Sequence, residues 1–247
     1  MKLLREYIRA RLLIMEEEDC LQVIDYTRGY KQISGIKRLP IAKSPDGTIV
    51  TSLEEIEEKG MDIKGKGYHS TEVMHQLFED EIVIEEKVDG HPVVILYGGY
   101  TFFCEALDIK HSVEYDTCPY SFDGWPDMVI VYEIMDGEVK PPYTPGQGTG
   151  RWLTRSEKED VCDMVGAPIV PEVFRGTVKP VDVPALADRI SSFSSGAKSE
   201  GVVIKNLTKG LFGKFINLEF QEGISDEALQ GQVHPMQARK KNIRKYF

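Results

Sequence analysis

Apolar and polar positions follow two periods along this chain. Over residues 1–26 the apolar side chains Leu4, Ile8, Leu12 and Met15 recur at helical spacing, which predicts an amphipathic helix. Residues 27–68 break the pattern with Gly, Lys and Pro and read as irregular chain or short strands. Within them Ser52, with Glu55 three positions on, heads a short acidic helix. The same start signal at Ser70 predicts a second helix over 70–79. From residue 82 the period shortens. Strand-like runs follow at 82–87, 92–97, 100–105 and 128–134, and Gly98-Gly99 between the second and third predicts a hairpin. After the Pro/Gly-rich loop 137–150, a helix is expected over 154–165, headed by Thr154 with Glu157. A strand near 169–174, a helix near 182–193 and strands at 201–206 and 211–217 complete the series. The sum is an α+β class, with antiparallel strands in hairpins and helices outside them.

Composition bounds this picture more than it changes it. The 247 residues allow one large domain or two small ones. Apolar content of 41% and charged content of 28% are those of a soluble globular protein, and no apolar run is long enough to span a membrane. The start, MKLLREYIRARLLIMEEED, carries charges through its apolar positions and no small-residue cleavage site, so it reads as a helix and not a signal peptide. Cys20, Cys104, Cys118 and Cys162 form no C-x-x-C pair. They read as free thiols in a reducing compartment, hence a cytoplasmic protein (the host cytoplasm if the source is viral). The histidines show no zinc spacing. A net charge of −10 weighs against nucleic acid as a partner, but Arg239, Lys240, Lys241, Arg244 and Lys245 gather at the end of the chain. That cluster is either a solvated tail or a phosphate-contacting patch.

The candidate chemistry starts at Lys87. It sits in EEKVDGH, among Glu85, Glu86 and Asp89, between two strand-like runs. A nucleophilic lysine must lose its proton, and an ordinary amine with a pKa of about 10.4 is almost wholly charged at neutral pH. Burial, neighbouring positive charge or a metal supplies the shift. Two further islands place a charge at the edge of a β-rich run: Glu200-Gly201-Val202-Val203-Ile204-Lys205 and Gly213-Lys214-Phe215. Glu200 and Glu105 could hold a metal, Lys205 and Lys214 could contact phosphate oxygens, and Gly90 lets the chain turn sharply beside the lysine.

In that order the islands resemble the covalent nucleotidyltransferase superfamily of ATP-dependent ligases and capping enzymes, and more closely its RNA ligases. Lys87-Val88-Asp89-Gly90 matches the superfamily's Lys-x-Asp-Gly motif, whose lysine becomes joined to AMP. Residues 200–205 match the Glu-Gly-hydrophobic-hydrophobic-hydrophobic-Lys/Arg motif, and Lys214 fits the motif that brings lysine to the nucleotide phosphate. Glu105 matches the ribose-binding glutamate. The stretch IKHSVEYDTCPYSF after it resembles the His-Ser/Thr-x-x-Tyr-Asp segment of RNA ligases. Tyr132 in Val131-Tyr132-Glu133-Ile134 takes the place of the ring that stacks on the purine. The resemblance also implies nucleotide contacts from Asp89, Gly90 and His91 and an adenine-reading role for Glu86.

The resemblance implies a nucleotidyltransferase (ATP-grasp-like) fold over 82–224, preceded by a helical and irregular extension over 1–81 and followed by a basic tail over 225–247. It implies ATP as adenylyl donor, Mg²⁺ (or Mn²⁺) as metal, and RNA with 5′-phosphate and 3′-hydroxyl ends as substrate, with DNA as the alternative. Three departures stand out. Position 216 is Ile where relatives carry a second lysine. Residues 88–104 contain no Arg or Lys where many relatives place an arginine, so either Lys110 or a residue from elsewhere substitutes, or end-joining is impaired. The 81 residues before the first motif exceed the usual length. Alternatives are a GTP-dependent capping-type guanylyltransferase and a nucleotide- or RNA-binding protein without end-joining. Oligomeric state is left open.

Overall fold

Two antiparallel sheets frame the described part of the chain. The computed structural model describes residues 22–25, 36–44, 46–59, 67–107, 115–116, 128–137, 150–217 and 220. The expected features at Lys110 and His111, in the basic tail and over 1–21 lie outside these residues. The chain forms two units: residues 1–35, 90–109 and 118–170 make the first, and 36–89, 110–117 and 171–247 the second.

The sheet of the first unit has strands β1 (Gln22–Asp25), β5 (His91–Tyr97), β6 (Tyr100–Ala106), β7 (Val129–Asp136) and β8 (Arg151–Trp152), side by side in that order. β5 and β6 close the expected hairpin at Gly98-Gly99, both with positive φ, which glycine adopts without steric cost. Alternation sorts the side chains. Val93 and Ile95 of β5, with Phe102 and Cys104 of β6, face α3 (Arg155–Val165), which contributes Val161, Cys162 and Val165 to one core. Val94 and Phe103 face the other way, with Met135, Leu96, Tyr132 and Trp152. Burial lifts the Cys162 thiol to about 12 and pushes Cys104 up as well. Thr154 and Glu157 form the capping box read from the sequence, and Gly166 ends α3 in the left-handed conformation.

The second unit has the sheet β11 (Leu211–Ile216), β10 (Gly201–Asn206), β4 (Ile82–Lys87), β9 (Glu172–Gly176), in that spatial order. Ile82, Ile84, Val202, Ile204 and Phe215 lie on one face and pack with Leu39, Met74 and Leu77, and with Val183 and Ala187 of α4 (Val183–Ala187). Met74 and Leu77 come from α2 (Thr71–Leu77), capped by Ser70 as expected. α1 (Leu53–Glu58), capped by Ser52, lies near the short pair β2 (Ala42–Lys43) and β3 (Ile49–Val50) in the chain and buries Ile56 with Ala42 and Val50. Residues 37–39 extend the sheet in parallel beyond β11. Lys214 N–H donates to Lys37 O, and Leu39 N–H donates to Lys214 O. Among the described residues no helix is long and apolar enough to cross a membrane.

Three expectations are corrected. The helix predicted over 1–26 does not include 22–25, which form a strand against β5: cross-strand pairing overrides local helical spacing where Val23 and Ile24 are β-branched. The strand near 169–174 begins at Glu172, just after Pro171, which has no N–H to give a ladder. The helix near 182–193 is only a 3₁₀ turn at Pro180–Asp182 and the five residues of α4, because Ser191 and Ser192 turn back to bond Glu86.

Glu157 gives the first unit a measurable pH dependence. Two hydrogen bonds from Arg151, at 2.8 and 2.9 Å, and the N–H of Thr154 at 2.8 Å hold its pKa down at about 2. A depressed carboxylate stabilises above its unfolded pKa and loses that contribution as pH falls through the folded value. Glu157→Gln is therefore expected to cost about 1–2 kcal/mol at pH 7. In urea denaturation followed by circular dichroism, the difference should shrink as pH drops from 4.5 towards 2.

Candidate nucleotide-binding site

The face of the second sheet opposite its apolar core carries a row of charge. In β4 the residues alternate: Ile82, Ile84 and Glu86 point to the core side, and Val83, Glu85 and Lys87 to the other. β10 pairs antiparallel with β4, so Gly201 lies opposite Lys87, Val203 opposite Glu85 and Lys205 opposite Val83. β11 sets Lys214 opposite Val203. Glu85, Lys87, Lys205 and Lys214 thus share one face through register alone.

Two ion pairs order that face. Lys205 Nζ meets Glu85 Oε2 at 2.5 Å, with both side chains about as buried as core leucines. Lys87 Nζ donates to Glu200 Oε2, its partner from the start of β10. Glu200 is only 6% exposed, and burial raises its pKa. The Lys87 and Lys214 charges oppose that rise, while Asp89 adds to it. The carboxylate is fixed through its backbone. Asn217 N–H donates to Glu200 O at 2.9 Å, and the Asn217 amide holds Ser199 O at 3.0 Å and Ala187 O at 3.1 Å. Glycine follows Glu200 because a Cβ at position 201 would lie 2.0 Å from Phe215 O.

Asp89 N–H donates to the Tyr115 hydroxyl at 2.5 Å, and burial keeps Tyr115 a neutral phenol by raising its pKa. The next residue in the RNA-ligase-like stretch, Asp116, accepts from Ser195 N–H at 2.7 Å and from the Ser195 hydroxyl. Glu86 is engaged elsewhere. Its carboxylate accepts from the Ser191 hydroxyl at 2.5 Å and from Ser192 N–H at 3.0 Å, and it is 2% exposed. In this geometry it anchors the 191–192 turn, and an adenine amino group would have to compete with those donors.

The remaining candidates lie in the first unit. Glu105 accepts from Gly90 N–H at 3.1 Å, and a Cβ at Gly90 would sit 2.6 Å from both Ala106 O and Glu105 Cγ, so that approach requires glycine. By alternation Glu105 shares the face of Val94 and Phe103. Tyr132 packs on that face too, partly buried. It is also the extra residue of a bulge, since Phe103 pairs with Glu133 and Cys104 with Val131. Bulges re-aim a side chain. Lys158, buried on α3, donates to Tyr132 O and Glu133 at 3.2 Å and fixes this part of β7. The His91 side chain lies outside the described set.

No group of three His, Cys, Asp or Glu side chains among the described residues could cage a metal. What is present, a buried carboxylate beside lysines, fits an ion that arrives on nucleotide phosphates, because Mg²⁺ keeps waters and takes one or two protein carboxylates. Sequence reasoning missed Glu85 and Asn217, while Tyr115 falls at the Tyr of the His-Ser/Thr-x-x-Tyr-Asp stretch. The signal for Glu85 was its place two residues before Lys87 on a β period. Asn217 acts through long-range contacts that no local pattern encodes.

The RNA ligase family model matches residues 97–216. That segment includes Glu105, Tyr132, Glu200, Lys205 and Lys214, begins after Lys87, and agrees with the resemblance carried by the motifs. No curated protein matches the chain. A solved structure named "Putative ATP-dependent DNA ligase from Aquifex aeolicus" is similar at 15% identity and a TM-score of 0.42, over 96% of this chain and 69% of that one. A likeness that remote carries no argument about chemistry.

The Glu85–Lys205 pair is open to direct measurement. Removing one partner leaves a buried charge, so Glu85→Gln or Lys205→Met alone should cost about 3–5 kcal/mol in urea denaturation. Glu85→Leu combined with Lys205→Met should recover most of that loss.

Proposed function

We propose that this protein is an ATP-dependent polynucleotide ligase acting on RNA through a covalent lysyl-AMP intermediate, built on the nucleotidyltransferase (ATP-grasp-like) fold. The observation that carries the reading is the Lys87 amine set against the buried Glu200 carboxylate by two distant segments, with Lys214 on the same sheet face. The match to the RNA ligase family supports RNA as substrate.

In this pair the Glu200 carboxylate favours the charged ammonium of Lys87, so attack requires that proton to leave. Glu200 has to stay ionised if it is to hold a metal, so that proton leaves to water. A divalent metal carried on the phosphates would be held by Glu200 and would supply positive charge that offsets the phosphate oxygens. The neutral amine then forms a bond to the α-phosphorus of ATP. The bond from that phosphorus to the bridging oxygen breaks, and pyrophosphate leaves with the electron pair. Lys214 lies on the face where the transferring phosphate gathers charge, and Lys205 reaches it only if its pairing with Glu85 loosens. AMP then passes to a 5′-phosphate end, and a 3′-hydroxyl displaces it to form the phosphodiester. Glu105 and Tyr132 keep the ribose and purine roles that the resemblance implies, and Asp89, Gly90 and His91 their nucleotide contacts.

Incubation with Mg²⁺ and α-labelled ATP, followed by denaturation, should leave label on the protein. Lys87→Ala should abolish it, and Glu200→Gln should slow it on the order of 10²-fold. Labelling by GTP in place of ATP would point to capping chemistry. Label that persists in Lys87→Ala would overturn the assignment, and sealing of nicked RNA, hybrid and DNA duplexes would rank the substrates.

A further inference from the structure

Arg38 is the feature that the site as described does not use. It lies in the segment 37–39 that extends the second sheet, bridged on one side to Lys214 and on the other to Tyr68. The bonds are regular: Leu39 N–H donates to Lys214 O at 2.8 Å, Lys214 N–H to Lys37 O at 3.0 Å, and Arg38 N–H to Gly67 O at 2.8 Å. Residues bridged in register project to the same face of a sheet, so the Arg38 side chain stands beside Lys214 on the face that carries Lys87. Its Nη1 is buried and has no hydrogen-bond partner among the described residues. A guanidinium nitrogen removed from water and left unbonded is costly, and folded proteins rarely tolerate it without a reason. Arg189 also has a buried nitrogen without a partner, but another of its nitrogens donates to Ser192 Oγ, so that side chain is already employed within a turn.

We infer that Arg38 binds the part of the nucleotide triphosphate that becomes pyrophosphate. This assignment rests on the ligase reading. The order across the sheet is Lys87 on β4, then β10, then Lys214 on β11, then Arg38. The row of Arg38 meets β4 at Glu85, two residues from Lys87, so at roughly 4.8 Å per strand and 3.4 Å per residue Arg38 stands about 16 Å from Lys87, and two long cationic side chains span that gap when a polyphosphate lies between them. With the α-phosphorus at Lys87, the outermost cation of that face lies towards the distal phosphates. The planar fork of arginine suits two phosphate oxygens at once.

The test uses the full chain and inorganic pyrophosphate as probe, with binding read by calorimetry. Arg38→Met, which keeps the volume and removes the charge, should weaken pyrophosphate binding by about tenfold or more, and Arg38→Lys, the variant least disturbing to the fold, should weaken it less. In the labelling reaction, both variants should raise the ATP concentration needed for half-maximal rate more than they lower the maximal rate. A folded Arg38→Met protein that binds pyrophosphate as the wild type does overturns the inference, as does a wild type that binds none. The two readings fail separately. A wild type that binds pyrophosphate through Arg38 but takes no AMP label sinks the ligase reading and leaves the anion site standing. A wild type that takes label while Arg38→Met binds pyrophosphate undiminished does the reverse.

Discussion

The antiparallel register of β4 on β10 decides where each charged group of the second unit goes. Because side chains alternate along a strand, a slip of one residue would turn Glu85 and Lys87 into the apolar core and bring Ile84 and Glu86 out. The register is held on the core side by Ile82, Ile84, Val202 and Ile204, each almost wholly buried. Burying such side chains contributes on the order of 1.5–3 kcal/mol apiece, which outweighs what any exposed ion pair adds. Hydrophobic burial therefore fixes the strands, and the charges take the positions left to them. The close approach at Gly201 and the Asn217 amide then set the last variable, the direction of the Glu200 carboxylate.

This division explains why the two lysines of β4 and β10 have different environments. Lys205 is enclosed with Glu85, and a pair so buried trades a desolvation cost for mutual attraction and holds one geometry. Lys87 is partly open, and its partner is a carboxyl group whose burial works against its own charge. The first pair is suited to staying as it is, and the second to changing protonation. The same sheet thus provides a rigid neighbour and a responsive one within two residues of each other on β4.

Much of this was legible in the sequence, for physical reasons that differ by element. β4, β5, β6, β10 and β11 follow from uninterrupted β-period runs, and the caps at Ser52, Ser70 and Thr154 from side chains that bond the backbone three residues on. The strand at 22–25 was hidden because its partner, β5, lies far along the chain and supplies the pairing. The end of α4 at Ala187 was hidden because the turn after it answers to Glu86, a contact across 105 positions. At the site, the residue types and their order pointed to Lys87, Glu200 and Lys214. Which carboxylate each lysine meets was not legible, because Glu85 and Glu86 are neighbours in sequence that face opposite ways in the sheet. Nor could local pattern reveal Arg38, whose place depends on a parallel bridge to β11.

The sulfur atoms of the first unit carry a separate consequence. Cys104 and Cys162 both lie in the apolar core beneath α3, where burial keeps them protonated. With the Cys162 thiol pushed up to about 12 by burial, the thiolate, which is the form that reacts, is scarce at neutral pH. Peroxides and alkylating agents should pass these two cysteines by in the native protein, so their modification would report loss of that core's packing rather than chemistry of the folded state.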